Sequence, residues 1–188
     1  MNRAPFFILV HLIAVLLADN QNAVAQSGQS RYVTFDLDKC AVVERDEENG
    51  SIIQRCDGPG GFAFHVAEGD LRFFLGYGPK AREQRAFTQT LPPFNTIHNT
   101  LELRSYPGEK DPYAVILRYF TDSGLSDGSP NGQVLVVTKL AGGEACHTAY
   151  IDALANKNAN ELARQAADDS EVFDCAADEP QIVGKSPM

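Results

Sequence analysis

The chain has 188 residues, a formal net charge of −9 and four cysteines. Its negative charge argues against nucleic acid or anionic membrane surfaces as partners and is compatible with a basic partner. The length fits one domain with its own hydrophobic core.

The first 25 residues have the order of a secretory signal peptide. Arg3 gives a positive start, residues 6–18 form an apolar run, and Ala23-Val24-Ala25 is a small-residue cleavage site. The run is shorter than the roughly 20 residues of a membrane-spanning helix. We therefore predict cleavage after Ala25, no membrane insertion afterwards, and a periplasmic or extracellular chain of residues 26–188.

All the cysteines follow this segment: Cys40, Cys56, Cys146 and Cys175. An even number in an exported chain predicts two disulfides. Four cysteines allow three pairings, and their order favours Cys40–Cys56 with Cys146–Cys175. None of them forms a C-x-x-C pair, so a redox or zinc site has little support.

The alternation of apolar residues over 33–37 predicts a first strand. Residues 40–45 and 51–56 then flank Asn49-Gly50, a strong hairpin signal. A five-residue loop places Cys40 opposite Cys56, and a bridge there would add about 3 kcal/mol of stability in the chain-entropy model.

A second hairpin is predicted over residues 62–77, where apolar residues alternate on both sides of Glu68-Gly69. A turn at that dipeptide pairs Val66 with Leu71 and Phe64 with Phe73. All the apolar partners then share one face, and Phe74 points to the other.

Residues 78–96 are irregular and form the longest loop before the next strand, a kind of segment that is often functional or mobile. The loop carries cations and an aromatic ring, with two more rings just before it. Such combinations are typical of interaction surfaces. The predicted interaction surface comprises Phe74, Tyr77, Lys80, Arg82, Arg85 and Phe87.

Four further strands are predicted, and the segments at 113–120 and 134–140 are apolar enough to be central. The other two cover residues 101–104 and 146–151. An i, i+3, i+4 apolar stripe then predicts a helix near 158–169, with Asn158 as its N-cap. The tail, residues 176–188, lacks periodicity and is expected to be flexible.

Together these elements predict a mainly β, β-rich α+β fold in a single domain, residues 26–175. About eight mostly antiparallel strands would form a sandwich or partly open barrel, with one C-terminal helix. The strands follow one another too closely for parallel β-α-β crossovers.

No motif for catalysis, metal binding or cofactor binding stands out. His65, His98 and His147 are not at ligand spacing from each other or from a cysteine. Gly58-Pro59-Gly60-Gly61 precedes a strand rather than the helix N-terminus that a phosphate loop requires. A dispersed Ser-His-Asp set would assemble only in space and leaves no signature in the sequence.

Several segments resemble a family of secreted proteins of rhizobia and related alphaproteobacteria. They are YVTFDLDKC (32–40), CDGPGGF (56–62), EGDLR (68–72), GQVLVV (132–137) and YIDALANKNANELAR (150–164). The resemblance covers most of the chain after residue 25. It implies export and the limits of the domain, and it carries no activity.

The outline of residues 56–77 is also similar to periplasmic lysozyme inhibitors, small disulfide-stapled β proteins in which a Cys-led strand runs into a hairpin. The Ser-Gly loop that enters the lysozyme cleft has no clear counterpart here, so no inhibitory residue is assigned.

We therefore expect a non-catalytic envelope module that binds a protein or glycan and needs no cofactor. The alternatives are a periplasmic lysozyme inhibitor and a hydrolase with a dispersed active site.

Overall fold

The computed structural model describes residues 27–122 and 131–185. The predicted signal peptide and its cleavage site lie outside the described residues. The described chain forms ten β-strands and one α-helix. These are β1 Gln29–Thr34, β2 Ala41–Arg45, β3 Ile52–Asp57, β4 Ala63–Gly69, β5 Arg72–Tyr77, β6 Phe94–Ser105, β7 Ala114–Asp122, β8 Gly132–Ala141, β9 Glu144–Asp152, α1 Ala159–Asp168 and β10 Gln181–Val183.

The strands form two sheets. The six-stranded sheet has the order β1-β6-β7-β8-β9-β10, and the four-stranded sheet has the order β2-β3-β4-β5. Their pairings are antiparallel except that of β9 with β10, which is parallel. The predicted mainly β sandwich with one C-terminal helix is confirmed, with ten strands in place of about eight.

The main core lies between the two sheets. Phe64 and Leu75 from the four-stranded sheet meet a cluster that includes Leu101 and Leu117 from the six-stranded sheet, and each of these side chains is at most 2% exposed. Because every second residue of a β-strand faces the same side, these side chains all point towards the opposite sheet.

Helix α1 covers the other face of the six-stranded sheet. Ala159, Ala163 and Ala167 are buried against it, as the apolar stripe predicts. Asn158 is the N-cap residue, as predicted, but its side chain makes no hydrogen bond to the first turn. First-turn N–H groups donate to the carbonyls of Asn156 and Asn158 instead. The small side chains of the stripe let the helix approach the sheet closely.

Charged side chains fix the helix at its other end. The Arg104 guanidinium of β6 donates to both carboxylate oxygens of Asp168 at 2.7 and 2.8 Å, and the Tyr113 hydroxyl donates to the same carboxylate. Arg164 Nε donates to Glu102 Oε1 at 2.6 Å. Because Arg104 and Glu102 are buried, each charge needs this partner.

Both favoured disulfides are present, Cys40–Cys56 and Cys146–Cys175. They indicate an oxidising, non-cytoplasmic environment. Ala41 pairs with Arg55, which is the register expected beside the first bridge. A bulge between Val42 and Glu44 shifts the rest of that ladder by one residue.

The predicted turn of the second hairpin is wrong. The chain turns at Asp70-Leu71, two non-glycine residues with positive φ of 51° and 57°, and Val66 pairs with Leu75 while Phe64 pairs with Tyr77. The shift preserves the period of two, so the apolar residues still share the inner face.

The C-terminal segment is more regular than predicted. Gln181–Val183 forms β10, which pairs with β9 from Ala149 to Ile151. A three-residue strand can join an existing sheet through main-chain hydrogen bonds without an amphipathic pattern. Periodicity in the sequence therefore gave no signal for β10. No helix within residues 27–122 and 131–185 is long and apolar enough to cross a membrane.

Candidate functional site

Residues 78–96, which include the first three residues of β6, form a packed segment that we call the clasp. Two short 3₁₀ helices, Ala81–Glu83 and Arg85–Thr88, replace the irregular loop predicted there. Ala81, Ala86 and Leu91 are at most 1% exposed. The length of the segment suggested function or mobility, whereas its burial gives it a structural role.

The clasp covers the outer edge of β5 with side-chain amides. The Tyr77 N–H donates to Gln84 Oε1 at 2.8 Å, and Gln84 Nε2 donates to the Tyr77 carbonyl at 2.7 Å. Gln84 Nε2 also lies 3.0 Å from the carbonyl of Gly143, in the β8–β9 turn. The buried Gln84 side chain therefore bonds both backbone groups of Tyr77 at this sheet edge. It also links the two sheets through Gly143.

Two further side-chain amides and one hydroxyl of the clasp also bond backbone groups of neighbouring strands. Asn95 Oδ1 accepts from the Phe73 N–H at 3.0 Å, while Thr90 Oγ1 donates to the Phe73 carbonyl at 2.7 Å. Gln89 Oε1 accepts from the His147 N–H of β9 at 2.9 Å. The clasp thus satisfies backbone groups that burial would otherwise leave without partners.

The six residues of the predicted interaction surface differ in how far they are buried. Tyr77 is only 5% exposed and lies in the core, where burial raises its pKa despite a hydrogen bond with Thr138. Tyr77 is therefore not available to a partner. Phe74 and Phe87 are half-buried, and Lys80 is exposed.

The two arginines of that surface contact other parts of the chain. Arg82 forms an ion pair with Glu44 on β2. Arg85 donates to the carbonyl of Cys175 and lies 3.6 Å from Glu179 Oε1. They tie the clasp to two separate segments, β2 and the C-terminal segment.

A larger feature is a cleft of about 990 Å³ at one end of the sandwich, which we call the end cleft. The β6–β7 and β8–β9 turns and the start of β1 border it from the six-stranded sheet. The 3₁₀ helix Pro59–Gly61 and the end of β5 border it from the other sheet. Its side-chain lining includes Arg31, Phe62, Tyr106, Lys110, Ala141 and Glu144.

Aromatic rings and bare backbone line the end cleft together. The half-buried Phe62 ring stacks on Tyr77 with centroids 6.2 Å apart. Gly142 and Gly143 have positive φ of 61° and 89°, and nothing lies within 4 Å of where a Cβ would be. Conformation rather than crowding therefore requires glycine, and both glycines of this turn are exposed.

The charges of the end cleft nearly balance. Arg31 and Lys110 provide positive charge, and Glu109, Asp111 and Glu144 provide negative charge. Arg31 Nη2 lies 3.4 Å from the Lys110 carbonyl, which connects β1 to the β6–β7 turn. Mixed charges around rings and peptide groups suit a polar ligand of low net charge.

His147 lies outside this cleft and is 2% exposed. Burial, aided by the positive charge of Arg85, lowers its pKa to about 3, and its Nδ1 lies 3.0 Å from the Tyr150 hydroxyl. Burial also raises the pKa of Tyr150 to about 12. The described residues contain no group of three or more His, Cys, Asp or Glu side chains placed to hold a metal ion.

Sequence reasoning missed the end cleft although its parts were visible. Gly60-Gly61, Gly142-Gly143 and residues 107–112 are rich in turn-forming residues, but they are far apart in the chain. Only the order of strands in the two sheets places these turns at one end of the sandwich.

Comparisons of the chain with protein-family models, curated proteins and solved structures give no match.

Proposed function

We propose that the chain is a secreted, non-catalytic binding module of the bacterial envelope whose end cleft holds a glycan. The predicted signal peptide and the two disulfides support export. The general class, a module that binds a glycan or protein, is the one expected from the sequence.

The observation that carries the proposal is the lining of the end cleft. A sugar ring has apolar faces and a rim of hydroxyl groups, which match the Phe62 ring beside the peptide groups of Gly142 and Gly143. The Gln84 bond to the Gly143 carbonyl holds this turn in place before a ligand arrives. Preorganisation of this kind reduces the entropy lost on binding.

Co-sedimentation with purified peptidoglycan sacculi, followed by calorimetry with soluble glycan chains, tests the proposal. Ala141→Trp places a bulky ring in the cleft from an exposed position, and we expect at least tenfold weaker binding. Ala177→Trp is the matched control at an exposed alanine outside the cleft and should bind normally. Failure of the unmodified chain to bind either probe, or equal binding by both variants, would contradict the proposal.

Lysozyme inhibition is a narrower proposal within the same class, because an inhibitor is also a non-catalytic binding protein. A lysozyme-activity assay with the same two variants tests it. Inhibition that Ala141→Trp abolishes would make the end cleft the inhibitory site, and an unchanged lysozyme rate would remove this candidate.

The alternative function is a hydrolase, in which the carboxylates of the end cleft would carry the catalysis. Glu109, Asp111 and Glu144 are exposed there, whereas catalytic acids are commonly desolvated. Incubation with sacculi should release no reducing ends. Release that Glu144→Gln or Asp111→Asn abolishes would replace the non-catalytic proposal.

A further inference from the structure

A second binding feature lies on the free edge of the four-stranded sheet, which is strand β2. All five residues of β2 are exposed, including Val42 at 51% and Val43 at 46%. In an antiparallel ladder alternate residues direct their backbone groups to opposite sides. Within the described residues β2 pairs only with β3, so its second side presents peptide groups to solvent.

This strand is positioned firmly. The Cys40–Cys56 bridge fixes its start, and Asp46 N–H donates to the Ser51 carbonyl at 2.9 Å just after its end. Asp46 also accepts from the backbone of Glu48 at 2.9 Å, which shapes the loop. A strand held at both ends loses little freedom when another strand is added.

The charges around β2 define what it can accept. Residues 36–48 contain six carboxylates and two cations, and two of these carboxylates, Asp36 and Glu44, are already paired with Lys39 and Arg82. Asp36 and Asp38 precede the strand, whereas Asp46, Glu47 and Glu48 follow it. An added segment with apolar residues at its centre and cations at both ends would complement Val42, Val43 and the two acidic flanks.

The same charges disfavour a second copy of the chain. If two β2 strands paired with each other, acidic flank would meet acidic flank in either strand direction. The bulge between Val42 and Glu44 also interrupts a regular ladder, a common protection of edge strands. A basic segment meets the same bulge but avoids the repulsion.

We propose that β2 accepts an extended segment of a partner protein as a fifth strand, and that this segment carries Lys or Arg at both ends. This site is separate from the end cleft. Residues 46–51, the tip of the β2–β3 hairpin, lie beyond Ile52, while the cleft borders the far end of the sheet at Ala63 and Tyr77.

Selection from a random ten-residue peptide library tests the proposal, with the affinity of the selected peptides measured by calorimetry. We expect peptides with cations flanking β-branched residues, and at least tenfold weaker binding to the double variant Glu47→Lys, Glu48→Lys. Affinity should also fall as salt rises. The control Glu161→Lys, Glu171→Lys makes the same charge change at exposed positions near α1 and should bind normally.

Hydrogen exchange locates the bound peptide, which should slow exchange at backbone amides of Ala41–Arg45. Ala141→Trp should leave peptide binding unchanged, so that this proposal can fail or succeed independently of the end cleft. Selected peptides without cations, an unchanged affinity in the Glu47, Glu48 variant, or protection elsewhere would overturn the proposal. A dimer whose interface is β2, detected by sedimentation, would also overturn it.

Discussion

The two edge strands of the four-stranded sheet, β2 and β5, differ in whether other parts of the chain cover them. β5 is covered by the clasp, where Gln84 and Asn95 bond its outward backbone groups. β2 at the other edge is exposed along its whole length and is held at its base by the Cys40–Cys56 bridge. The contrast shows that one edge of a sheet can be covered by the rest of the chain while the other edge stays exposed to solvent.

The first prediction concerns His147 on β9, whose backbone N–H donates to Gln89 of the clasp and whose buried side chain is uncharged. Its folded-state pKa of about 3 lies below the unfolded value of about 6.5, so the unfolded chain binds the proton first. The stability from neutral His147 is complete above pH 6.5 and is lost as the pH falls towards 3, by about 4 kcal/mol.

Urea unfolding at a series of pH values measures this loss. His147→Gln should have a flatter stability profile between pH 6.5 and 3, whereas the exposed control His98→Gln should keep the steep one. Equal slopes in all three chains would show that burial does not lower the pKa of His147.

The next largest effect should follow removal of the bridge at the open edge. Cys40→Ala with Cys56→Ala releases a closed loop with a sequence separation of 16 residues. We expect a loss of about 3 kcal/mol in the free energy of unfolding, because the unfolded chain gains entropy. Denaturant unfolding measures it. A loss below about 1 kcal/mol would mean that β2 is held mainly by its other contacts.

On the covered edge, Gln84→Ala should cost about 2 kcal/mol, because it leaves buried backbone groups of Tyr77 without partners. Gln165→Ala on the exposed side of α1 is the matched control and should cost less than about 0.5 kcal/mol. Chemical denaturation compares the two, and similar values would remove the special role of Gln84.

The smallest effect is expected on the open edge itself. Val43→Lys should change stability by less than about 0.5 kcal/mol, because the side chain is already 46% exposed. Ala86→Lys in the clasp, where Ala86 is fully buried, should destabilise the fold severely. Thermal unfolding ranks the pair, and a large loss with Val43→Lys would mean that β2 packs against a neighbour.

Local patterns in the sequence were sufficient for much of the fold. Alternation located most strands and the inner face, the apolar stripe located α1, and the order of the cysteines favoured the pairings that form. These features depend on periodicity or on chain proximity, which a single sequence displays directly.

The clasp and the end cleft depend on distant contacts and could not be predicted in the same way. Gln84 bonds Gly143, and Gln89 bonds His147, across 59 and 58 residues with no periodic signal. The turn at Asp70-Leu71 was missed because leucine at positive φ contradicts ordinary turn preferences. The same shift pairs Tyr77 with Phe64 in the core, whereas the sequence analysis placed Tyr77 on the interaction surface.

Native-state hydrogen exchange tests the contrast between the edges most directly. The Phe73, Tyr77 and His147 amides should exchange slowly, and Gln84→Ala should accelerate Tyr77 selectively. Amides of β2 that are not bonded to β3 should exchange rapidly in the free chain. Rapid exchange at Tyr77 in the unmodified chain, or protection along all of β2 without a partner, would contradict the account.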